Sequence, residues 1–469
     1  MRVRFAPSPT GFLHLGNART AVINFCISRK ENAPFVLRIE DTDQERSSLE
    51  SEESIYKDLK WLGLDWDEGP SAGGDKGPYR QSERYDLYQK YAQNLINSGH
   101  AYKCYCTKEE LDDLRAKDGS FTYPGTCRDL TFEEQNARES EGRTHVIRFR
   151  VPENENIIIK DSIKGDIEFG SDNIGGDFIV IRTDGSPIYN FIVTIDDYLM
   201  GITHVIRGED HLSNTPKQTL VARALNLPEP IYAHLPLILG ADRSKLSKRH
   251  GMTSVELYRS GGYLPEALFN YIAMLGWATE SGDEILSQEE IINNISIDKM
   301  AKSSAVFDFQ KLKWVNSQYI RQYPLDTITD LFLPHIIEAG YDNLDRNNLE
   351  GIIDLIRGNC EVLPDIKNLV PIFLDDLCIP DEDADKMLKE DYSADVIKTA
   401  YEVLEKNPPM EELLGEIKSS ANQKGKKLFM PLRAMITGRL KGPDLDKALP
   451  LIGYENIKKR IQYCYKTYC

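Results

Sequence analysis

The chain has 469 residues, with 74 Asp and Glu against 57 Lys and Arg, a net charge of −17. That length supports about two to four domains with ample cores, and the acidic sum excludes a uniformly basic nucleic-acid coat. Eight cysteines in so long a chain exclude a disulfide-stapled miniature scaffold. No apolar run approaches the ~18 residues of a spanning helix, and MRVRFAPSP lacks an apolar leader core, so the expectation is a cytoplasmic protein with no membrane partner.

VRFAP and FVLRIED (residues 35–41) are apolar runs that end in polar residues, and Ala18, Ala21, Val22 and Phe25 give residues 17–29 between them helical spacing. This predicts a βαβ unit with parallel strands. Ligands then sit at the C-terminal strand ends, where Ala6, Ser8 and Glu40 fall. A second helix is predicted over 49–62, a Gly/Pro-rich break over 68–78, and an amphipathic helix over 83–98 stopped by Gly99. From 144 to 182 the short strands HVIRFRV, NIIIKD, DIEFG and DFIVIR read as an α+β insertion. Parallel character returns with GITHVIRGED (201–210), a helix capped near Ser213 or Asn214, and a strand over 234–239. Beyond about residue 256 strand signals nearly vanish, while 266–275, 287–294, 327–339, 349–357 and 395–405 have helical spacing. The predicted fold is α/β: a doubly wound, Rossmann-like parallel catalytic sheet split by the insertion, followed by all-α bundles.

Two distant segments carry the chemistry. PSPTGFLHLGN (7–17) is a strand end turning into a helix start, which offers unpaired N–H groups and the positive end of a dipole. SKLSKR (244–249) is a basic loop that would supply countercharge to a triphosphate as it breaks. Singly, each also reads as an ordinary helix cap or a solvated turn; together, around a doubly wound pattern, they read as one polyphosphate site. The C-terminal end is locally basic, with eleven Lys and Arg against three acids over 424–466, while 375–385 (DDLCIPDEDAD) is acidic. That polarity suits an RNA contact on one face.

PSPTGFLHLGNART, RIEDTD, DGSPIYNF, DDYLMGITHVIRGEDHL, SKLSKR, ALFNYIAMLGW, FDFQKLKWVNSQYI and KLFMPLRAMITG stand in this order. Across essentially its whole length the chain resembles the bacterial-type glutamyl-tRNA synthetases, which are class I aminoacyl-tRNA synthetases. The resemblance implies ATP-dependent activation of L-glutamate to glutamyl-adenylate, with Mg2+ on the ATP, and transfer to the 3′ adenosine of tRNA(Glu), by a monomer. It leaves open whether tRNA(Gln) is also charged.

It further implies a first signature of Pro7, Ser8, Pro9, Thr10, Gly11, His14, Gly16 and Asn17, and a second of Lys245, Leu246, Ser247, Lys248 and Arg249. Asn17 and Leu246 stand where the class signature has a His and a Met. His14, Gly16, Asp210, His211 and Lys248 are then expected to contact ATP, with Asn17, Lys245 and Ser247 completing the catalytic set. Arg4, Ala6, Ser8, Glu40, Tyr189 and Arg207 would form the glutamate pocket, and the family's contact to the α-carboxylate falls near Val193. The implied segments are 1–82 and 190–243 for the catalytic sheet, 83–189 for an insertion that binds the acceptor stem, 244–322 for the signature loop and stem-contact helices, and 323–378 and 379–469 for two helical anticodon-binding domains.

Cys104 and Cys106, with Cys127, suggest a structural Zn2+ site. Tyr123 is the first choice for a fourth ligand, since some relatives use this C-x-C, Y-x₃-C arrangement; His100 and His145 are alternatives, and three buried free thiols are the bland one. A glutaminyl enzyme would need β-barrel anticodon domains, and a small-molecule nucleotidyltransferase would not need a basic helical half.

Overall fold

The computed structural model describes residues 1–43, 45–118 and 122–469. It contains two compact units, one formed by Met1–Arg259 and Leu268–Asp308, the other by Ser260–Ala267 and Phe309–Cys469. Among the described residues, no helix is long and apolar enough to cross a membrane.

The first unit opens with β1 (Val3–Phe5), α1 (Leu15–Lys30) and β2 (Phe35–Leu37), and β1 and β2 pair in parallel with Arg4 opposite Val36. Then come α2 (Leu49–Trp61), α3 (Tyr85–Asn97), β3 (Ala101–Cys104), α4 (Lys108–Asp118), α5 (Phe132–Ser140), β4 (Val146–Phe149), β5 (Asn156–Asp161), β6 (Gly165–Gly170) and β7 (Ile179–Ile181). The chain returns through α6 (Tyr189–Leu199), β8 (His204–Gly208), α7 (Thr215–Ala224), β9 (Ile231–Leu235) and β10 (Ile238–Leu239). Amides of Thr203 and His204 donate to the Arg2 carbonyl at 3.0 and 3.2 Å, setting β8 beside β1. The predicted βαβ unit and the later parallel strands are thus both present.

The insertion is less separate than its sequence suggests. β3, β4 and β7 form their own antiparallel sheet, but the β5–β6 hairpin joins β9 and β8 in the order β6-β5-β9-β8, with Asp161 opposite Tyr232. Tyr88, Ala92 and Leu95 of α3 share one core with Ile157 and Ile159 of β5, Phe191 and Ile195 of α6, and Val221 of α7. The reason is burial: each of the Leu, Ile, Val and Phe side chains withdrawn from water contributes about 1.5–3 kcal/mol, and the main sheet offers an apolar face. In β5 burial alternates strictly, so Ile157, Ile159 and Asp161 share the inward face.

The second unit is helical, including Phe309–Gln322, Leu325–Glu338, Arg346–Ile356, Asp391–Leu404, Lys426–Thr437 and Tyr454–Tyr468. Its charge polarity is partly spent internally. Lys459 pairs with Asp376 at 2.8 Å and Arg439 with Asp381 at 3.2 Å, so the acidic and basic stretches meet. Arg460 is buried and donates to the carbonyls of Ile372, Ile436 and Asp375. The basic surface is smaller than the residue count implies.

Candidate active site

His14 caps α1. Its backbone is extended, and its Nδ1 accepts the Gly16 N–H at 3.2 Å. The hydrogen-bond pattern therefore places the ring proton on Nε2. Burial, with Lys245 and Lys248 nearby, pushes its pKa below the ordinary histidine value. The Gly16 amide is thus engaged within the protein, and the Ala18 amide donates to the His14 carbonyl. An added Cβ at Gly16 would meet only His14 Nδ1, at 3.7 Å, so protein packing does not demand a glycine there.

The second signature is stitched to the first. Leu15 N–H donates to Thr253 O at 2.9 Å and Val255 N–H to Leu13 O at 3.0 Å, so the segment after the basic loop pairs through an isolated antiparallel bridge with the residues leading into α1. The loop itself is closed by His250, whose Nδ1 accepts from Ser247 N–H at 3.0 Å and whose Nε2 lies 3.1 Å from Asp242. A side chain at Gly240 would come within 2.6 Å of that ring, which accounts for the glycine. Lys245 reaches Asp210 at 3.1 Å. Lys248 is exposed, and among the described residues no carboxylate pairs with it.

One cavity of about 620 Å³ gathers the expected residues. The glutamate candidates Arg4, Ala6, Ser8, Glu40, Tyr189 and Arg207 all line it, as do the nucleotide candidates His14, Gly16, Asn17, Asp210, His211 and Lys245. Pro7, Thr10 and Leu246 complete the signature residues on its wall; Pro9, Gly11, Ser247, Lys248 and Arg249 are not on it. Val193 is buried away from it. A neighbouring cavity of about 990 Å³ shares Ser8, Thr10, Glu40 and Tyr189, and is also lined by Arg46 and Arg182.

The electrostatics separate the pocket's cations. Arg4 donates from Nε and Nη2 to the two carboxylate oxygens of Asp197 at 3.1 and 3.3 Å. Arg38, fully buried, donates to Asp197 at 2.7 Å and to Glu40 at 3.1 Å. Two arginines and two carboxylates thus cancel. Burial opposes ionisation of Asp197, but Arg4 and Arg38 outweigh it and hold its pKa below the usual carboxylate range. Burial pushes the Glu40 pKa up despite Arg38 and Arg4.

Arg207 differs. It is 5% exposed, its Nε donates to His234 at 3.1 Å, and its Nη2 donates to Thr215 and Gln218 at 2.8 and 2.9 Å. Its Nη1 is buried and finds no hydrogen-bond partner among the described residues. Its hydrogen-bond partners among the described residues are all neutral, so no carboxylate pairs with it directly. Beside it, burial and Arg207 push His211 down to about 4, and Tyr189 Oη lies 3.0 Å from His211 Nδ1.

Arg38, Asp197, His234 and Asp161 escaped the sequence reading. Asp196 and Asp197 stand side by side in the apolar helix YNFIVTIDDYL, and Arg38 ends an apolar strand; charges in such runs must be paired, and that was the available signal.

The cysteine cluster forms as expected. The sulfurs of Cys104, Cys106 and Cys127 lie within 4.8 Å of one another, with Cys106 and Cys127 3.6 Å apart. Tyr123 Oη lies 3.3 Å from Cys104 Sγ and 3.8 Å from Cys106 Sγ, and accepts the Cys127 N–H at 2.9 Å. A tetrahedral zinc with Zn–S of ~2.3 Å wants sulfurs ~3.8 Å apart, so the donor set fits. His100 bonds instead to Ser98 and His145 packs on Tyr105, so neither completes the cluster.

Residues 1–314 match the family described as tRNA synthetases class I (E and Q), catalytic domain, and residues 327–465 match an anticodon binding domain. The chain is 45% identical to glutamate–tRNA ligase 1 of Caldicellulosiruptor saccharolyticus, covering 100% of this chain and 99% of that protein. It is 46% identical to the glutamate–tRNA ligase of Aquifex aeolicus, over 98% of each. Its structure resembles the crystal structure of a glutamate tRNA ligase from Elizabethkingia meningosepticum in complex with its amino acid, with a TM-score of 0.91 and 34% identity over 100% of both chains.

Proposed function

The chain belongs to the class I tRNA synthetases for glutamate and glutamine and joins glutamate to tRNA at the expense of ATP; we propose that the cavity under α1 carries both half-reactions, with the residues in the following roles. Arg207, with no carboxylate paired to it among the described residues, carries this reading, because a pocket for an anionic side chain needs a buried cation that the protein has not already paired. Arg207 Nη1 would take the γ-carboxylate of glutamate, Arg4 would border it, and Glu40 would face the ammonium.

A carboxylate nucleophile is already ionised at neutral pH, so no general base is required. Its oxygen attacks the α-phosphorus of ATP, the α–β phosphoanhydride bond breaks, and the electron pair leaves with pyrophosphate. Positioning and charge stabilisation carry such a step. Neutral His14 would donate Nε2–H to the phosphates, Gly16 would let the nucleotide approach the helix, and Lys245 and Lys248 would neutralise the leaving pyrophosphate. Magnesium enters with ATP as part of the substrate. Asp210 and His211 would contact adenine and ribose. The terminal adenosine of tRNA(Glu) would enter through the neighbouring cavity and receive the glutamyl group, with AMP leaving. The acceptor-stem role of 83–189, the stem contacts of 244–322 and the anticodon roles of 323–378 and 379–469 belong to the same proposal.

The test is ATP–pyrophosphate exchange with and without tRNA(Glu), run with glutamate and with glutamine. Glutamate alone should support it; equal exchange with glutamine overturns the pocket. Charging of tRNA(Gln) transcripts alongside tRNA(Glu) defines the tRNA range.

His14→Asn retains an acceptor for the Gly16 amide but lacks the Nε2 donor. Adenylate formation is expected to fall at least about tenfold with the melting temperature unchanged. Because the folded pKa of His14 is lowered, the neutral form persists to lower pH, and the acid limb of kcat/KM for ATP should lie below about pH 6.5. A limb above that value contradicts the role.

Zinc would be held by Cys104, Cys106, Cys127 and Tyr123 and would be structural, fixing the insertion. Mass spectrometry of the purified protein should find about one zinc per chain, lost in Cys127→Ala together with a lower melting temperature. Metal-free wild-type protein excludes it.

A further inference from the structure

Arg207 lines the substrate cavity, but the groups that aim it lie behind it. Asp161, at the end of β5, is buried, and its Oδ2 accepts from the His234 backbone N–H at 3.0 Å and lies 2.6 Å from His234 Nδ1. Its Oδ1 accepts from the amides of Ile163 and Lys164 at 2.9 and 2.7 Å. Since a carboxylate only accepts, the ring proton of His234 is on Nδ1, which leaves the Nε2 lone pair to accept Arg207 Nε–H at 3.1 Å. Tyr232 stacks on His234 with ring centroids 5.9 Å apart and lies 5.5 Å from the Arg207 guanidinium, so the plane of the fork is set as well.

We infer that Asp161 and His234 are positioning residues for glutamate recognition: the hairpin of the insertion fixes the His234 tautomer, and the tautomer fixes Arg207 on the cavity wall with Nη1 as the nitrogen that no protein acceptor takes. The inference rests on the reading of Arg207 as the glutamate side-chain ligand. Its logic is one of donors and acceptors. With Nε committed to His234 and Nη2 to Thr215 and Gln218, the guanidinium has one orientation, and the unsatisfied amine is the one left for substrate. With the proton on Nε2 instead, two N–H groups would oppose each other and the fork would turn. The neutral environment matters too. A carboxylate placed directly against Arg207 would orient it equally well but would cancel the charge that distinguishes glutamate from glutamine. A histidine relays the orientation and keeps the carboxylate one residue away.

The experiment uses full-length enzyme, with aminoacylation of a tRNA(Glu) transcript at varied glutamate and ATP, plus 15N NMR of selectively labelled histidines. His234→Phe, which has no acceptor, should raise the glutamate KM at least about tenfold while ATP KM and kcat stay within about twofold. His234→Gln, whose Oε1 can replace Nε2 as acceptor, should recover the glutamate KM to within about threefold of wild type. The spectrum should show His234 protonated on Nδ1. Arg207→Ala, measured alongside, separates the two readings. If it leaves the glutamate KM unchanged, the pocket assignment fails; if it raises KM and His234→Phe does not, only the positioning inference fails. A His234→Phe defect shared equally by ATP KM and kcat, or a Gln variant as impaired as Phe, reduces the pair to a structural prop. Should His234→Phe not fold, the Gln variant and the tautomer decide, and an Nε2–H ring overturns the inference.

Discussion

Lys248→Ala is expected to form glutamyl-adenylate about 10²–10³-fold more slowly than wild type, with glutamate KM within about twofold. Lys245 is already committed to Asp210 at 3.1 Å, whereas Lys248 stands exposed at the tip of the basic loop without a carboxylate partner among the described residues. In water a lone lysine contributes little, because exposed charges are screened. When ATP fills the cavity and displaces solvent, the same ammonium meets the charge that accumulates on the departing pyrophosphate, and its contribution grows as the local dielectric falls. Removing it withdraws stabilisation that exists mainly in the transition state, so kcat falls and glutamate affinity does not.

The variant should melt at the wild-type temperature, since the side chain is exposed and such a substitution lies within about 0.5 kcal/mol of neutral. Pyrophosphate exchange in the presence of tRNA(Glu) reads the effect directly. Near-normal exchange would leave the loop as a structural element held by His250 and its pairing to α1, with no part in leaving-group chemistry.

How the two signatures meet was only half legible. Their strand-turn-helix and basic-loop characters stand in the residues, and so does the order of strand ends that brings them to one side of a sheet. The pairing of residues 13–15 with 253–255 does not, because no local pattern specifies a partner some 240 positions away. The same limit explains Arg4. It reads as a ligand-edge arginine, yet its partner Asp197 lies 193 residues on, in a helix whose two adjacent acids have no role in the sequence reading. Glu40 reads from the sequence as a pocket acid at a strand end; the structure buries it with Arg38 and shares Asp197 between two arginines. Parity was the neglected signal. In NIIIKD the alternation that buries Ile157 and Ile159 also buries Asp161, and a buried carboxylate announces a partner even when that partner cannot be named. The insertion's merger with the main sheet hangs on a single parallel register between β5 and β9, which composition does not encode.

Arg207→Ala and Arg4→Ala should separate, although sequence alone assigns them to the same pocket. Removing Arg207 leaves the glutamate carboxylate without the cation assigned to it, an unpaired buried ion that costs about 3–5 kcal/mol, or roughly 10²- to 5×10³-fold in glutamate KM. The preference for glutamate over glutamine should shrink by a similar factor, because the neutral amide never depended on that cation. ATP KM should be unaffected. Stability moves the other way round. In the free enzyme Arg207 is a buried cation with only neutral partners, so its loss relieves as well as disrupts, and the melting temperature should change little. Arg4→Ala instead strips Asp197 of a bidentate partner and leaves Arg38 to hold it, so that variant should melt lower and gain less from added glutamate. Saturating glutamate should raise the wild-type melting temperature and fail to raise that of Arg207→Ala. An Arg207 variant that melts lower than Arg4→Ala, with glutamate KM unchanged, would mean that the unpaired charge serves the fold and that the substrate's carboxylate is bound elsewhere.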